Sequence, residues 1–154
     1  MNTKKINVFI GSDHSGVFLK QYLIENLNSN YLMFDLGVGI NVKKSDYPLI
    51  AQKVALKVAQ NKNSFGIIIC GSGNGVLISA NKIDSIRCGY GANIFSAKLL
   101  RSHNNANMIA LGARIIAKEY ALEIVKAFLQ TPFSNQKRHI ERINLISNIE
   151  GLKK

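Results

Sequence analysis

Only two cysteines, Cys70 and Cys88, occur in the 154 residues, too few for the disulfide framework of a small secreted protein. No apolar run is long enough to span a bilayer. The N-terminal stretch MNTKKINVFIGSD carries two lysines and a short apolar core, with no small-residue cleavage site after it. It does not read as a signal peptide, so the expectation is a cytoplasmic protein that does not engage a membrane. Acidic residues are scarce: nine Asp and Glu stand against twenty Lys and Arg, a formal net charge of +11. Such a balance attracts anions, either nucleic acid or a phosphorylated metabolite. The lysines are scattered, however, with no basic stripe interleaved with aromatics and no helix-turn-helix pattern, which argues against nucleic acid. Repeats and low-complexity linkers are also missing, and the length suits one domain over 1–154 with a core large enough to need no staples.

Short apolar runs alternate with amphipathic segments. Strands are expected at 6–10, 31–36, 66–70, 87–90 and 107–111. Helices are expected from about 16 to 27, from Pro48 to about 60, after GSGNG to about 81, from 94 to about 103, over 115–129, and last over about 136–150. The strands read as continuous apolar runs, the pattern of a parallel sheet buried on both faces. The fold class is therefore α/β: a three-layer α/β/α sandwich with a five-stranded parallel sheet, Rossmann-like. Ligands in such sheets bind beyond the carboxyl ends of the strands, near a switch in strand order. That rule selects the loops at 11–16 and 70–75 and the segment after Leu111.

The chemistry in these loops is specific. The run FGIIICGSGNGVL stops an apolar strand at Cys70 and then places glycines on alternate positions, Gly71, Gly73 and Gly75. Glycines let backbone N–H groups approach a ligand closely, and a helix start adds a favourable dipole for anions. The spacing is not the dinucleotide G-x-G-x-x-G, and the loop has no P-loop lysine. A thiol between a strand end and a helix start has its thiolate stabilised, which suits a base or nucleophile; the competing reading is a small buried hydrophobe. Phosphatase chemistry is excluded because no arginine follows the cysteine to cradle phosphate. Cys88, within the fourth strand, reads as core. Asp13 serves equally as a cap for the helix near Gly16 or as a ligand for a substrate hydroxyl, and Asp46 in SDYP reads as a turn residue. All three histidines, His14, His103 and His139, fall at segment ends beside polar neighbours. They have no metal-ligand spacing, so no metal is expected. Arginine is used sparingly, and Arg138 and Arg142 lie four apart on one face of the last helix, where their planar forks suit phosphate.

Taken in order, GSDHSG, SDYP, IIICGSGNG, SAKLLRSHNNAN, ALGAR and KRHIERI resemble the ribose-5-phosphate isomerase type B family, which includes galactose-6-phosphate isomerases. The similarity runs over about residues 6–149. It implies an aldose–ketose isomerase of ribose 5-phosphate and ribulose 5-phosphate, acting on a small sugar phosphate with no metal and no organic cofactor. It also implies a homodimer whose active sites draw on both subunits, and it leaves open further pairing into tetramers. By position, Cys70 resembles the base that moves a proton between C1 and C2, and His103 the acid that helps open the sugar ring. Asp13 and His14 match substrate-binding positions. So do Gly71, Ser72, Gly73, Asn74 and Gly75, whose N–H groups are expected to face the enediolate oxygens. Asn104 and Arg114 match binding positions expected from the partner subunit. Arg138 and Arg142 match a phosphate clamp, with His14 near the phosphate. Some members carry Ser at the position of Cys70 and use a glutamate just after GSGNG as base. This chain has Val76 there and resembles the cysteine type. Ser15, where a small apolar residue is common, is a minor departure. Two other readings stay open at this point: a hexose 6-phosphate substrate such as galactose or allose 6-phosphate, and a sugar-phosphate-binding protein without catalysis.

Overall fold

The computed structural model describes residues 5–153, so Met1 to Lys4 of the N-terminal stretch read above and the final Lys154 lie outside the described residues. Five strands, β1 (Ile6–Ser12), β2 (Tyr31–Asp35), β3 (Phe65–Cys70), β4 (Cys88–Tyr90) and β5 (Met108–Gly112), alternate with α1 (Val17–Leu27), α2 (Tyr47–Gln60), α3 (Asn74–Ala80), α4 (Ile94–Ser102) and α5 (Lys118–Gln130). A sixth helix, α6 (Lys137–Glu150), follows. Every strand pair is parallel, in the order β2-β1-β3-β5-β4. The chain moves outward from β1 to β2 and then returns to the other side of β1 as β3. That reversal opens a crevice beyond the carboxyl ends of β1 and β3, where α/β sheets bind ligands.

Side chains on β3 explain the continuous apolar run. Ile67 and Ile69 point into one cluster with Leu19 and Leu23 of α1, Ala97 of α4 and Ile124 of α5. Ile68 and Cys70 point the other way, against Ala51 and Val54 of α2 and Val76 and Ala80 of α3. Both faces of the strand are covered, so neither position alternates to polar. Each such aliphatic side chain contributes roughly 1.5–3 kcal/mol by leaving water.

Element boundaries agree with the sequence reading to within two residues except at α5, expected to begin at 115 and observed to begin at Lys118. The backbone there is committed elsewhere. Ala113 and Arg114 donate N–H groups to the carbonyls of Cys70 and Gly71, and Ile115 and Ile116 donate back to Gly112. A tight turn results, and the helix starts after it.

The long segment between β2 and α2 is anchored by the buried Lys20, which pairs with the exposed Asp35. Lys20 Nζ lies 2.6 Å from Asp35 Oδ2 and donates to the Val38 carbonyl at 2.9 Å, while Asp35 Oδ1 accepts the Gly37 N–H at 2.9 Å. Helix α6 is the least covered element. Only His139 on it is buried, and Ile140, Leu145, Ile146 and Ile149 are exposed.

Candidate active site

Cys70 closes β3 with its side chain buried, and its Sγ accepts the backbone N–H of Gly73 at 3.2 Å. The bond forms because Gly73 adopts φ +81°, which folds the chain back over the sulfur before α3 begins. A Cβ at this position would stand 2.6 Å from Tyr90 Cε2 and 2.8 Å from the Leu111 carbonyl carbon. Glycine is thus required on both conformational and steric grounds. The loop is held from two further sides. Tyr90 donates its hydroxyl to the Ser72 carbonyl at 3.0 Å, and the turn after β5 is bonded to Cys70 and Gly71 as described. Two of the loop N–H groups expected to face substrate are therefore engaged within the loop itself: Gly73 on Cys70 Sγ, and Asn74 on Ser72 Oγ at 3.3 Å.

Around this sulfur an open cleft of about 360 Å³ is lined by Asp13, His14, Cys70, Gly71, Ser72, Gly75 and Arg114, with Ser15 and Tyr47. Asp13 does not cap α1, whose N-cap is Gly16 without a side-chain bond. Its Oδ1 instead accepts the N–H and the hydroxyl of Ser15 at 2.9 and 2.8 Å, leaving Oδ2 outside that turn. His14 and Ser45 clasp one another: the His14 N–H donates to Ser45 Oγ at 3.0 Å, and the Ser45 N–H donates to His14 Nδ1 at 3.3 Å. With Nδ1 accepting, a neutral His14 carries its proton on Nε2.

Arg114, expected from the partner subunit, stands on the same cleft as Cys70 of its own chain. A Cβ on Gly71 would lie 3.2 Å from its Nη1, so the glycine leaves room for the guanidinium. Tyr47, the first residue of α2, was not singled out from the sequence. Its ring packs so close to Gly75 that a Cβ there would fall 2.5 Å from the ring carbons. The SDYP motif was read for the Asp46 turn and as part of the resemblance, and neither reading gave Tyr47 a role.

The remaining candidates form a second cluster. His103 caps the C-terminal end of α4, and its ring lies 4.3 Å from that of His139 on α6. Arg138 and Arg142 flank His139 along α6 and are exposed. Asn104 borders a separate cavity of about 340 Å³ between α4, β4 and the end of α6. His103, Asn104, Arg138 and Arg142 do not line the Cys70 cleft of their own chain. Burial and the positive charge of His103, Arg138 and Arg142 hold His139 below the usual histidine range. Cys88 is half-buried and packs beneath α3, and desolvation pushes its thiol far up, which makes it inert. Val76 is fully buried and carries no group able to share the chemistry.

No helix among the described residues is long and apolar enough to cross a membrane. Together these features define an α/β enzyme fold with a thiol at the head of a polar cleft on the carboxyl edge of a parallel sheet. The family model described as Ribose/Galactose Isomerase matches residues 8–146, and the chain belongs to that family. It is 38% identical over 146 residues to ribose-5-phosphate isomerase B of Mycolicibacterium paratuberculosis, covering 94% of this chain and 92% of that one. It is 37% identical over 144 residues to ribose-5-phosphate isomerase B of Escherichia coli, covering 93% and 95%. Among solved structures, ribose-5-phosphate isomerase B of Mycoplasma genitalium with bound ribulose-5-phosphate superposes with a TM-score of 0.92 at 36% identity, covering 97% of this chain and 99% of that one.

Proposed function

We propose that this chain interconverts ribose 5-phosphate and ribulose 5-phosphate through an enediolate, with Cys70 as the base and His103 acting in ring opening. The observation that carries the reading is Cys70 Sγ, bonded by the Gly73 N–H and placed at the head of a cleft shared with Asp13, His14 and Arg114. Aldose–ketose interconversion takes a proton from the carbon beside a carbonyl and returns it one carbon away. A single base beside both carbons serves both transfers, and general-base action of this kind is worth about 10²–10⁴-fold. Negative charge develops on the sugar oxygens, where donors held in place beforehand stabilise it. In this reading Asp13 Oδ2 and the loop backbone hold the hydroxyls, and Arg114 on the same cleft brings positive charge. No metal or organic cofactor enters this scheme.

The second cluster supplies what the first does not have: an acid–base group for the cyclic sugar and two arginines for the phosphate. The two are joined where the His103 ring at the end of α4 packs on the His139 ring of α6. In the proposed homodimer, His103, Asn104, Arg138 and Arg142 of one subunit complete the Cys70 cleft of the other. The exposed Ile140, Leu145, Ile146 and Ile149 on α6 support such an arrangement, since a second copy would cover them. Phosphate binding far from the reacting carbons then positions those carbons.

Because the family model embraces galactose as well as ribose isomerases, a hexose 6-phosphate is the second reading. An isomerase assay with ribose 5-phosphate, allose 6-phosphate and galactose 6-phosphate separates the two. One extra carbon in a fitted pocket costs roughly 10–200-fold, so kcat/KM is expected to favour the pentose by at least about tenfold. Preference for a hexose would reassign the substrate, and no turnover of any of the three would leave a binding protein.

A further inference from the structure

Beside His103 stands a buried side chain to which the reaction scheme gives no task. The His139 imidazole is only 3% exposed, although it lies on a helix otherwise open to solvent. Its ring packs against His103 at a centroid distance of 4.3 Å and an interplanar angle of 34°. Its Nδ1 lies 2.6 Å from Ser134 Oγ. That hydroxyl oxygen also accepts the Gln136 N–H at 3.3 Å, so Ser134 Oγ ties His139 Nδ1 to the start of α6. Ser134 is also fastened to the other partner: its N–H donates to the carbonyl of Ser102, the residue before His103, at 3.0 Å. The His139 ring is thus fixed from behind by Ser134 and presented to His103 at a set angle.

We propose that His139, keyed by Ser134, is a positioning residue that holds the His103 imidazole in the orientation from which it opens the sugar ring. The inference rests on the reading of His103 as the ring-opening group. Burial and the neighbouring His103, Arg138 and Arg142 disfavour a charge on His139. That suits the task, since His103 gains and loses a proton during ring opening. An uncharged aromatic face tolerates an imidazolium beside it, whereas a second cation would repel it.

The test uses the full-length protein in four variants, His139→Ala, His139→Phe, Ser134→Ala and His103→Ala, in two assays. The first is conversion of ribose 5-phosphate, which must be opened from its ring. The second is exchange of solvent deuterium into C1 of ribulose 5-phosphate, followed by proton NMR. With its C5 oxygen phosphorylated, that ketose cannot close a five-membered ring onto C2, so exchange needs the base but no ring opening. His139→Ala and Ser134→Ala are expected to lower conversion by about tenfold or more while exchange stays within about threefold, since an ångström of misplacement costs up to ~10²-fold at the affected step only. His139→Phe keeps the flat ring without the bond to Ser134 and should fall between them and the wild type. Equal losses in both assays, or no loss in either, would reduce His139 to packing and overturn the proposal. If His139→Ala does not fold, Ser134→Ala and His139→Phe carry the same test. Should His103→Ala itself lower both assays equally, the reading of His103 fails and this inference with it. Should His103→Ala be selective while the His139 and Ser134 variants are not, the inference alone fails.

Discussion

The backbone N–H of Gly73 meets the Cys70 sulfur across 3.2 Å, and only a left-handed residue at the loop's third position lets it do so. Replacing Gly73 by Ala forces an L-residue into φ +81°, at about 1–2 kcal/mol. It also pushes a methyl into the Leu111 backbone, which cannot yield as a flexible side chain would. The expected outcome is a melting temperature lower by roughly 4 °C or more and turnover lower by up to about 10²-fold, because the turn that holds the Cys70 sulfur in place is displaced. Gly39→Ala is the matched control, because a Cβ there meets nothing within 4 Å. A melt and a rate unchanged in Gly73→Ala would show that the turn does not matter.

The two thiols are expected to separate cleanly. Cys70→Ala should lose about 10²–10⁴-fold in turnover, while calorimetry still detects binding of a sugar phosphate, because the cleft's other groups are untouched. Cys88→Ala should leave turnover within a few-fold, since its half-buried thiol is pushed up by desolvation and packs beneath α3, away from the cleft. A Cys70→Ala protein that kept most of its rate would remove the sulfur from the mechanism.

The contrast between these two cysteines shows where the sequence was readable. Cys70 ends an apolar run and is followed by a glycine turn, and that local pattern placed it correctly at the head of a cleft. The strands were legible for the same reason: burial on both faces writes an unbroken apolar run into each. The start of α5 was not legible, because the Ala113 and Arg114 N–H groups are taken by carbonyls of a distant loop, and no local residue choice records that. Tyr47 and Ser45 were missed on similar grounds. Each acts through a partner remote in sequence, Gly75 for the first and His14 for the second, and neither contact leaves a local signature. Arg114 was expected from the partner subunit, whereas the turn after β5 sets it on the cleft of its own chain, which only the folded chain reveals. His139 was visible as one of three histidines at segment ends, yet its packing on His103 depends on how α6 returns to α4.

Folding stability should depend on pH through His139. Its imidazole is held below the ordinary histidine value, first by burial and then by the charges of His103, Arg138 and Arg142. The unfolded chain therefore binds the proton more readily than the folded one. Stability is fully present above the unfolded value of about 6.5 and falls as the solution is acidified below it, toward the depressed folded value. Urea melts at a series of pH values between 7.5 and 5 should show this decline, and His139→Phe should flatten it. A decline of equal slope in His139→Phe would assign the effect to other groups.

Within one chain the Cys70 cleft and the His103 cluster are separate, so the proposed shared site makes a quantitative forecast for mixed subunits. Cys70→Ala and His103→Ala should each be nearly inactive on ribose 5-phosphate. When equal amounts are unfolded together and refolded, half of the dimers pair one variant with the other. In such a dimer one site combines both lesions and the other combines an intact Cys70 with an intact His103 from across the interface. The mixture should therefore recover about one quarter of wild-type activity, as a two-fold symmetric pairing with random assortment requires. Recovery should follow the formation of the mixed dimer as read by native mass spectrometry. If each site were instead built from a single chain, every site in the mixture would carry one lesion or the other, and no activity would return.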